Sequence, residues 1–467
     1  MRLADLFTSS FGRALFLPAH GRGDALPREI RYMLSKKPGL WDLPELPEIG
    51  GPTEAFGAIK RSQEKAARLF GADRCWFGVN GATGLLQAAL FSLVKPGQAV
   101  LIPRNAHKSI FHACLIGGFV PVLFDLPFDS RSGNYLPPTQ EWILRVLDHP
   151  LVKSSDIASV VLVNPTYNGY SSNLSKLIET IHKKELPVLV DEAHGTHFCL
   201  SEENSLPISA LNSGADLVVN SLHKSSVGLA QTAVLWSQGL LVNSDSIEES
   251  LNWFQTSSPS SLLLASCESA LKQFYSKKGR KKIKDCIQNA RKLSFYLREN
   301  GIPLIDNDDP LKLILHASNS GFTGFEVDEY FIKHGIVGEL PEIGTLTLCL
   351  GFSNHKGLDK SLIRNWNMLM KTKSNNKILY EHSHVPVPLV SIPNISLINS
   401  KYVQTKRLLL EEAEDQISAE IIAPYPPGIP VLIPGEKLDN KRLKWMIDQN
   451  TMSPNLFPSY LKVIEKS

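Results

Sequence analysis

Cysteine is scarce and unpaired here: six in 467 residues, at positions 75, 114, 199, 267, 286 and 349, with no Cys-x-x-Cys among them. That scatter argues against a disulfide framework or a zinc site and fits a reducing compartment. No run of about 18 apolar residues occurs, so no membrane span is expected. The opening MRLADLFTSSFGRALFLPAHGRG is too broken by charge for a secretory signal, and a cytoplasmic protein is the expectation. An excess of one charge is missing too. Lys and Arg number 49 against 46 Asp and Glu, a net +3 that implies no preference for nucleic acid or membrane. The basic run Lys277–Lys284 (KKGRKKIK) sits in a helical pattern and reads as a solvated face. Repeats and low-complexity segments are absent. What remains is an ordinary soluble balance, 43% hydrophobic and 20% charged, in a chain with room for two or three domains.

One stretch organises the rest: PVLVDEAHGTHFCLSEENSLPISALNSGADLVVNSLHKSSVGLAQ, Pro187 to Gln231. Its apolar run Pro187–Val190 stops on Asp191 and Glu192. A second run, Asp216–Val219, leads into Ser221, His223 and Lys224. Both read as short buried strands with polar C-terminal ends, where an open α/β sheet binds its ligands. Taken singly, Asp191 is a strand-end acid and Lys224 a helix-start lysine. Together they are what pyridoxal 5′-phosphate needs: an amine to condense with the aldehyde and a carboxylate to keep the ring nitrogen protonated. Ala193 is small enough for a flat ring to lie close, and Ser221 with His223 can hold a phosphate. DEAH is also a helicase box, but no Gly-x-x-x-x-Gly-Lys-[Ser/Thr] loop precedes it, and that reading fails.

Asp-Glu-Ala-His-Gly, then Gly-Ala-Asp, then Ser-x-His-Lys-Ser with a following Gln, resembles the ornithine/lysine/arginine decarboxylase family. Its members are fold-type I pyridoxal-phosphate enzymes, similar in core to aspartate aminotransferase, and the resemblance spans nearly the whole chain. It implies that Lys224 carries the cofactor, that Asp191 faces the ring nitrogen, and that Ala193 and His194 lie beside the ring. Upstream, Asn80-Gly81-Ala82-Thr83-Gly84 sits between a strand (Cys75–Val79) and a helix (Leu85–Leu93). Free N–H groups there favour an anion, and the resemblance implies that Gly81, Ala82 and Thr83 take the cofactor phosphate. In Arg104-Asn105-Ala106-His107-Lys108-Ser109 it implies a stacking role for His107, which by itself would be a helix-cap histidine. Lys108 also follows a histidine, but the Asp191 context favours Lys224.

Asn164-Pro165-Thr166-Tyr167-Asn168-Gly169 resembles the family's Pro-Thr-Tyr-Asp-Gly loop, with Asn168 in place of Asp, which makes Tyr167 a substrate-side candidate. A plain turn explains that loop nearly as well. The hydroxyl-rich turn Thr256–Ser261 is a helix cap, and in the family such a turn reaches the partner's phosphate, so Ser257 joins the cofactor set. Near the C-terminus, Tyr425-Pro426-Pro427-Gly428-Ile429-Pro430 and then Pro434-Gly435-Glu436 resemble a family segment beside the active site. Glu436 is thereby a candidate to read a cationic substrate tail, with Glu339 and Glu342 as competitors. The Pro-x-His stretch at Pro18–Gly23 departs from the family, with Gly21 where a lysine commonly follows the histidine.

The expected architecture is an α/β fold with four parts. Residues 1–50 form an extended Pro/Gly-rich arm, read as packing on a partner subunit. Residues 51–300 form a cofactor-binding large domain with a mostly parallel sheet, ending in a long helical pattern over 262–300. Residues 301–373 form a small α/β domain and 374–467 a C-terminal domain with a helical stretch near Thr405–Ile417. The expected function is decarboxylation of a basic amino acid (arginine, lysine or ornithine) by a homodimer or larger homo-oligomer. An aminotransferase or lyase on the same fold, and a non-catalytic homologue, are the alternatives. In the small domain only Arg364 is available to clamp a substrate carboxylate, which favours decarboxylation.

Overall fold

The computed structural model describes residues 12–44, 46–372, 382–394, 403–423, 429–452 and 456–465. Its centre is a sheet built from β1 (Arg74–Gly78), β2 (Ala99–Pro103), β3 (Val120–Phe124), β4 (Ile157–Val163), β5 (Val188–Asp191), β6 (Leu217–Ser221) and β7 (Ala233–Ser237). The strand order is β3-β2-β4-β5-β6-β7-β1, and Val390–Ser391 adds an antiparallel edge beyond β3. Neighbours from β3 through β6 run parallel, while β7 is antiparallel to both β6 and β1. Parallel strands need helical crossovers that cover both faces, which is why β2, β5 and β6 are buried along their whole length.

The two faces separate by residue alternation. Leu101, Val160, Val188, Val190 and Val218 enter one core, with Ile59 and Ala66 of α1 (Ala58–Phe70). Val100, Ile102, Val161, Leu189, Leu217 and Val219 enter the other, with Leu85 and Leu90 of α2 (Gly81–Leu93) and Ile110 and Phe111 of α3 (Lys108–Gly117). The first core also takes Leu264 and Leu271 of α4 (Ser261–Tyr275) and Ile283 and Ile287 of α5 (Lys277–Glu299). The single long pattern expected over 262–300 is therefore two helices. Ser276 closes α4 in extended conformation and caps α5, its hydroxyl accepting from Gly279 N at 3.2 Å.

A second, four-stranded antiparallel sheet follows, in the order β8 (Leu304–Ile305), β9 (Lys312–Leu315), β11 (Leu346–Cys349), β10 (Leu340–Pro341). Beyond it, β12 (Thr405–Leu409) pairs antiparallel with β13 (Tyr460–Ile464). This corrects the helix expected near Thr405–Ile417. The partner strand lies some fifty residues downstream, where no local pattern reveals it. The Pro/Gly string Pro424–Gly428 and the linker at 373–377 lie outside the described residues.

The arm is neither detached nor extended throughout, which corrects the expectation: Arg28–Ser35 is an α-helix. Arg13–Ala14 pairs parallel with Ile336–Val337, Leu15 is buried and accepts from Cys349 N at 2.8 Å, and Ala19 N donates to His223 O at 2.8 Å. A Cβ on Gly21, at φ +53°, would meet Ser353 Oγ at 1.8 Å, so a side chain there would have to displace that serine.

Beneath the sheet's C-terminal edge lies one closed polar network. Asn220 Oδ1 accepts from Trp236 Nε1 at 2.7 Å, and its amide donates to the Glu192 carbonyl at 2.9 Å and carboxyl at 3.1 Å. Glu192 also accepts from Ala210 N at 2.7 Å, and burial pushes its carboxyl up to about 8. Asn220→Leu strands the indole N–H and one side of that carboxyl. We expect a loss of about 3 kcal/mol, seen calorimetrically as a melting temperature lower by several degrees. An unchanged melting temperature would remove this network from the account of the fold.

Candidate active site

The chemistry gathers at the C-terminal ends of β5 and β6. These are adjacent parallel strands, in register at Asp191 and Val219, so the residues that leave them emerge side by side. Asp191, the last residue of β5, is 6% exposed, and its Oδ1 accepts from Ala193 N at 3.1 Å. Burial raises its carboxyl above the ordinary range, opposed by the nearby Lys224 ammonium and by that hydrogen bond. Lys224 follows β6 by one turn, its N donating to Ser221 O at 3.0 Å. It is half-buried, and among the described residues none accepts a hydrogen bond from its Nζ.

Ser225 fixes the two strand ends relative to each other. Its Oγ donates to Ala193 O at 2.9 Å, accepts from Thr196 N at 3.0 Å, and meets Thr196 Oγ1 at 2.7 Å. The loop bearing Asp191 and the turn bearing Lys224 are thereby joined through one buried hydroxyl.

Both open into a cavity of about 300 Å³. Of the residues singled out in the sequence, Gly81, Ala82, Thr83, His107, Tyr167, Asp191, Ala193, His194, Ser221, His223 and Lys224 line it together. Gly81 begins α2 at φ +69°, a left-handed conformation that favours glycine. That turn aims the first N–H groups of a thirteen-residue helix along the cavity wall, as an anion requires. Ser221 Oγ and His223 Nδ1 lie 3.2 Å apart in the same wall.

The histidines are held neutral. His107 caps α3, its Nδ1 accepting from Ser109 N at 3.2 Å, and it lines the cavity while partly open to solvent. Enclosure first, then the Lys224 charge, brings it down to about 4; the same two causes act on His223, also at about 4. His194 is pushed well below its usual value by burial and by the charge of Lys312. Lys312 Nζ stands 3.3 Å from His194 Nδ1 and also donates to the Tyr167 carbonyl. Burial lowers the pKa of Lys312 as well, opposed by the acidic groups around it. The Tyr167 ring lies against His194, centroids 4.5 Å apart, and its hydroxyl bonds Glu339.

Two of the singled-out residues lie elsewhere. Ser257 is exposed and outside this chain's own cavity. Glu436 is 5% exposed and committed to two arginines, Arg104 Nη2 at 2.6 Å and Arg442 Nη1 at 3.3 Å, while Ile433 N donates to it at 3.0 Å. Glu436 is not among the described residues that line the cavity, and its carboxylate is engaged by these partners rather than left open for a substrate tail. Lys312, Asn105 and Tyr135 were missed. A lone lysine in the buried strand LKLIL was the available signal for Lys312, whereas Tyr135 sits in a two-residue strand that leaves none. Clefts of about 740 and 700 Å³ lie elsewhere, but neither brings together a strand-end acid, an amine and an anion cradle.

Residues 41–307 match the model of the family described as Orn/Lys/Arg decarboxylase, major domain, and residues 388–464 match its C-terminal domain. The arginine decarboxylase of Halalkalibacterium halodurans is 31% identical over 454 residues, covering 93% of this chain and 89% of that one. Among solved structures, the Francisella novicida lysine decarboxylase LdcF shares the fold with a TM-score of 0.72 at 19% identity, covering 90% of this chain and 73% of that one. A Thermus thermophilus aspartate aminotransferase variant shares it at a TM-score of 0.52 and 14% identity, covering 74% and 88%. The fold is therefore the α/β fold-type I architecture, and this chain belongs to the Orn/Lys/Arg decarboxylase family.

Proposed function

We propose that this chain decarboxylates a basic amino acid at the cavity between Asp191 and Lys224, with pyridoxal 5′-phosphate as its cofactor. The carrying observation is the convergence of a buried, counter-ion-poor carboxylate and an unbonded lysine amine on one glycine-led helix N-terminus. Those residues fit the cofactor: a cationic ring nitrogen would relieve the desolvation that raises Asp191, and a phosphate would meet the first-turn N–H groups of Ala82 and Thr83, beside Gly81, whose own N–H donates to Gln231 O at 2.8 Å. When bound, the cofactor supplies an electron sink for the pair left behind as the Cα–carboxylate bond breaks.

The chain's own residues do the rest. Asp191 holds a proton at the ring nitrogen, which sets how deep the sink is. Ala193 leaves room for a flat ring on one side, and His107 covers the other. Lys224 Nζ would be the amine that holds the cofactor aldehyde, and the same amine is placed to carry a proton. Ser221 and His223 add polar groups at the phosphate end. No arginine lines the cavity among the described residues: Arg104 is bound to Glu436 and Ser391, and Arg364 is exposed on the surface. A reaction that conserves the α-carboxylate needs such a clamp; one that expels it as CO₂ does not, and this favours decarboxylation over transamination. The arginine and lysine decarboxylases among its relatives support a basic substrate. A homo-oligomer, in which the exposed Ser257 turn could serve a neighbouring cavity, and a cytoplasmic site are parts of the same reading.

Lys224→Ala is expected to abolish turnover and the visible band of a lysine-linked cofactor, while Lys108→Ala keeps both. Absorbance and borohydride trapping check this; a trapped cofactor on Lys224→Ala, lost on Lys108→Ala, would reverse the assignment. Asp191→Asn should still bind cofactor yet lose about 3 kcal/mol of transition-state stabilisation, roughly 100-fold in kcat. Single-turnover rates within a few-fold of wild type would end the role given to this carboxylate.

A further inference from the structure

Three carboxylates are candidates to meet a cationic tail, and they differ in what they have left to offer. Glu436 is taken up by two arginines. Glu339 has both oxygens engaged, Oε1 by the Tyr167 hydroxyl and Oε2 by Leu17 N at 2.8 Å. Glu342 accepts both of its hydrogen bonds on one oxygen: Oε2 takes Asn168 Nδ2 at 2.8 Å and Thr345 Oγ1 at 3.1 Å. Oε1 accepts none among the described residues.

Glu342 also occupies the right place. It lines a small annex of about 100 Å³ with Phe128, Tyr135, Ile429 and Trp445. Tyr135 and Ile429 line the main cavity as well, so the two spaces share a wall, and Asn168 connects the carboxylate to the main cavity. We infer that Glu342 is the specificity-determining residue: the substrate's cationic tail passes Tyr135 and Ile429 into the annex and pairs with Glu342 Oε1. This rests on the decarboxylase reading and deepens it.

The annex suits such a tail on three counts. Its aromatic walls attract a cation over their faces, most strongly a planar guanidinium. Its carboxylate is enclosed with neutral donors only, which pushes it up to about 7, the state of an acid that lacks a counter-cation. His382, which also lines the annex, is held below its usual value by burial and supplies no charge. A half-buried carboxylate in this condition gains from a cation part of what it lost to desolvation. The shared chemistry is a guanidinium or an ammonium on a linear chain, and the test separates the two.

Calorimetric titration of the full-length apoenzyme with agmatine, cadaverine and putrescine measures tail recognition without any turnover. Wild type is expected to bind at least one of these amines. Glu342→Gln should bind it about 100-fold more weakly and, in the holoenzyme, keep the visible cofactor band while kcat/KM for the matching amino acid falls by a similar factor, mainly through KM. The amine most affected names the tail. If Glu342→Gln misfolds, Glu342→Asp keeps the charge but withdraws it by one methylene, and should weaken the same amine about 10-fold. Undiminished amine binding by either folded variant, or kcat/KM within about three-fold of wild type, overturns the proposal. A wild type that binds the amines through Glu342 yet releases no CO₂ from any of the amino acids would instead fault the decarboxylase reading and leave the cation site standing.

Discussion

The cost of burying Asp191 is the constraint around which the rest of the site is arranged. A carboxylate at the closed end of a parallel strand loses most of its hydration, and here it recovers one backbone hydrogen bond and a nearby ammonium. Folding tolerates that deficit because the surrounding sheet is packed on both faces and cannot open to admit water. The Ser225 hydroxyl, bonded to both loops, keeps the strand ends from separating to relieve the acid. The deficit is thereby stored as a preference for a cation in the cavity.

The same accounting distributes charge through the site. Lys224, His107, His194 and His223 line one small volume, with Lys312 just behind it against His194, and that many positive charges would repel one another. The histidines yield by staying neutral, and Lys312 is offset by Asp309, itself paired with the buried His197 at 3.0 Å. Lys312 comes from the small sheet and His194 from the large one. Their contact ties the orientation of a ring at the cavity to the seating of one sheet on the other.

Much of this was legible in the sequence, because its signals were local. Strands buried on both faces read as apolar runs, and polar residues placed just past those runs mark the ligand edge. That is how Asp191, Lys224 and the Gly81 turn could be found together. Where the reading failed, the deciding contact was distant. Thr405–Leu409 is a strand because Tyr460–Ile464 lies beside it, and Glu436 is spent because Arg104 lies 332 residues away in sequence. The break at Ser276 was local, but serine carries the same sign as an exposed helical residue until its cap is seen.

Glu436 still matters to the site, by another route than a reader's. Its partner Arg104 stands three residues before His107, on the segment that turns from β2 into the cap of α3, and Arg104 also bonds Ser391 on the sheet's outer edge strand. Two buried guanidinium groups converge on one carboxylate there, so its loss would leave both uncompensated, a larger penalty than the pair itself is worth. The C-terminal segment thereby holds the backbone that leads to His107, without touching that ring. A family motif can be retained for such positioning as readily as for touching the substrate. The burial of Glu436 between two arginines is what distinguishes the two uses here.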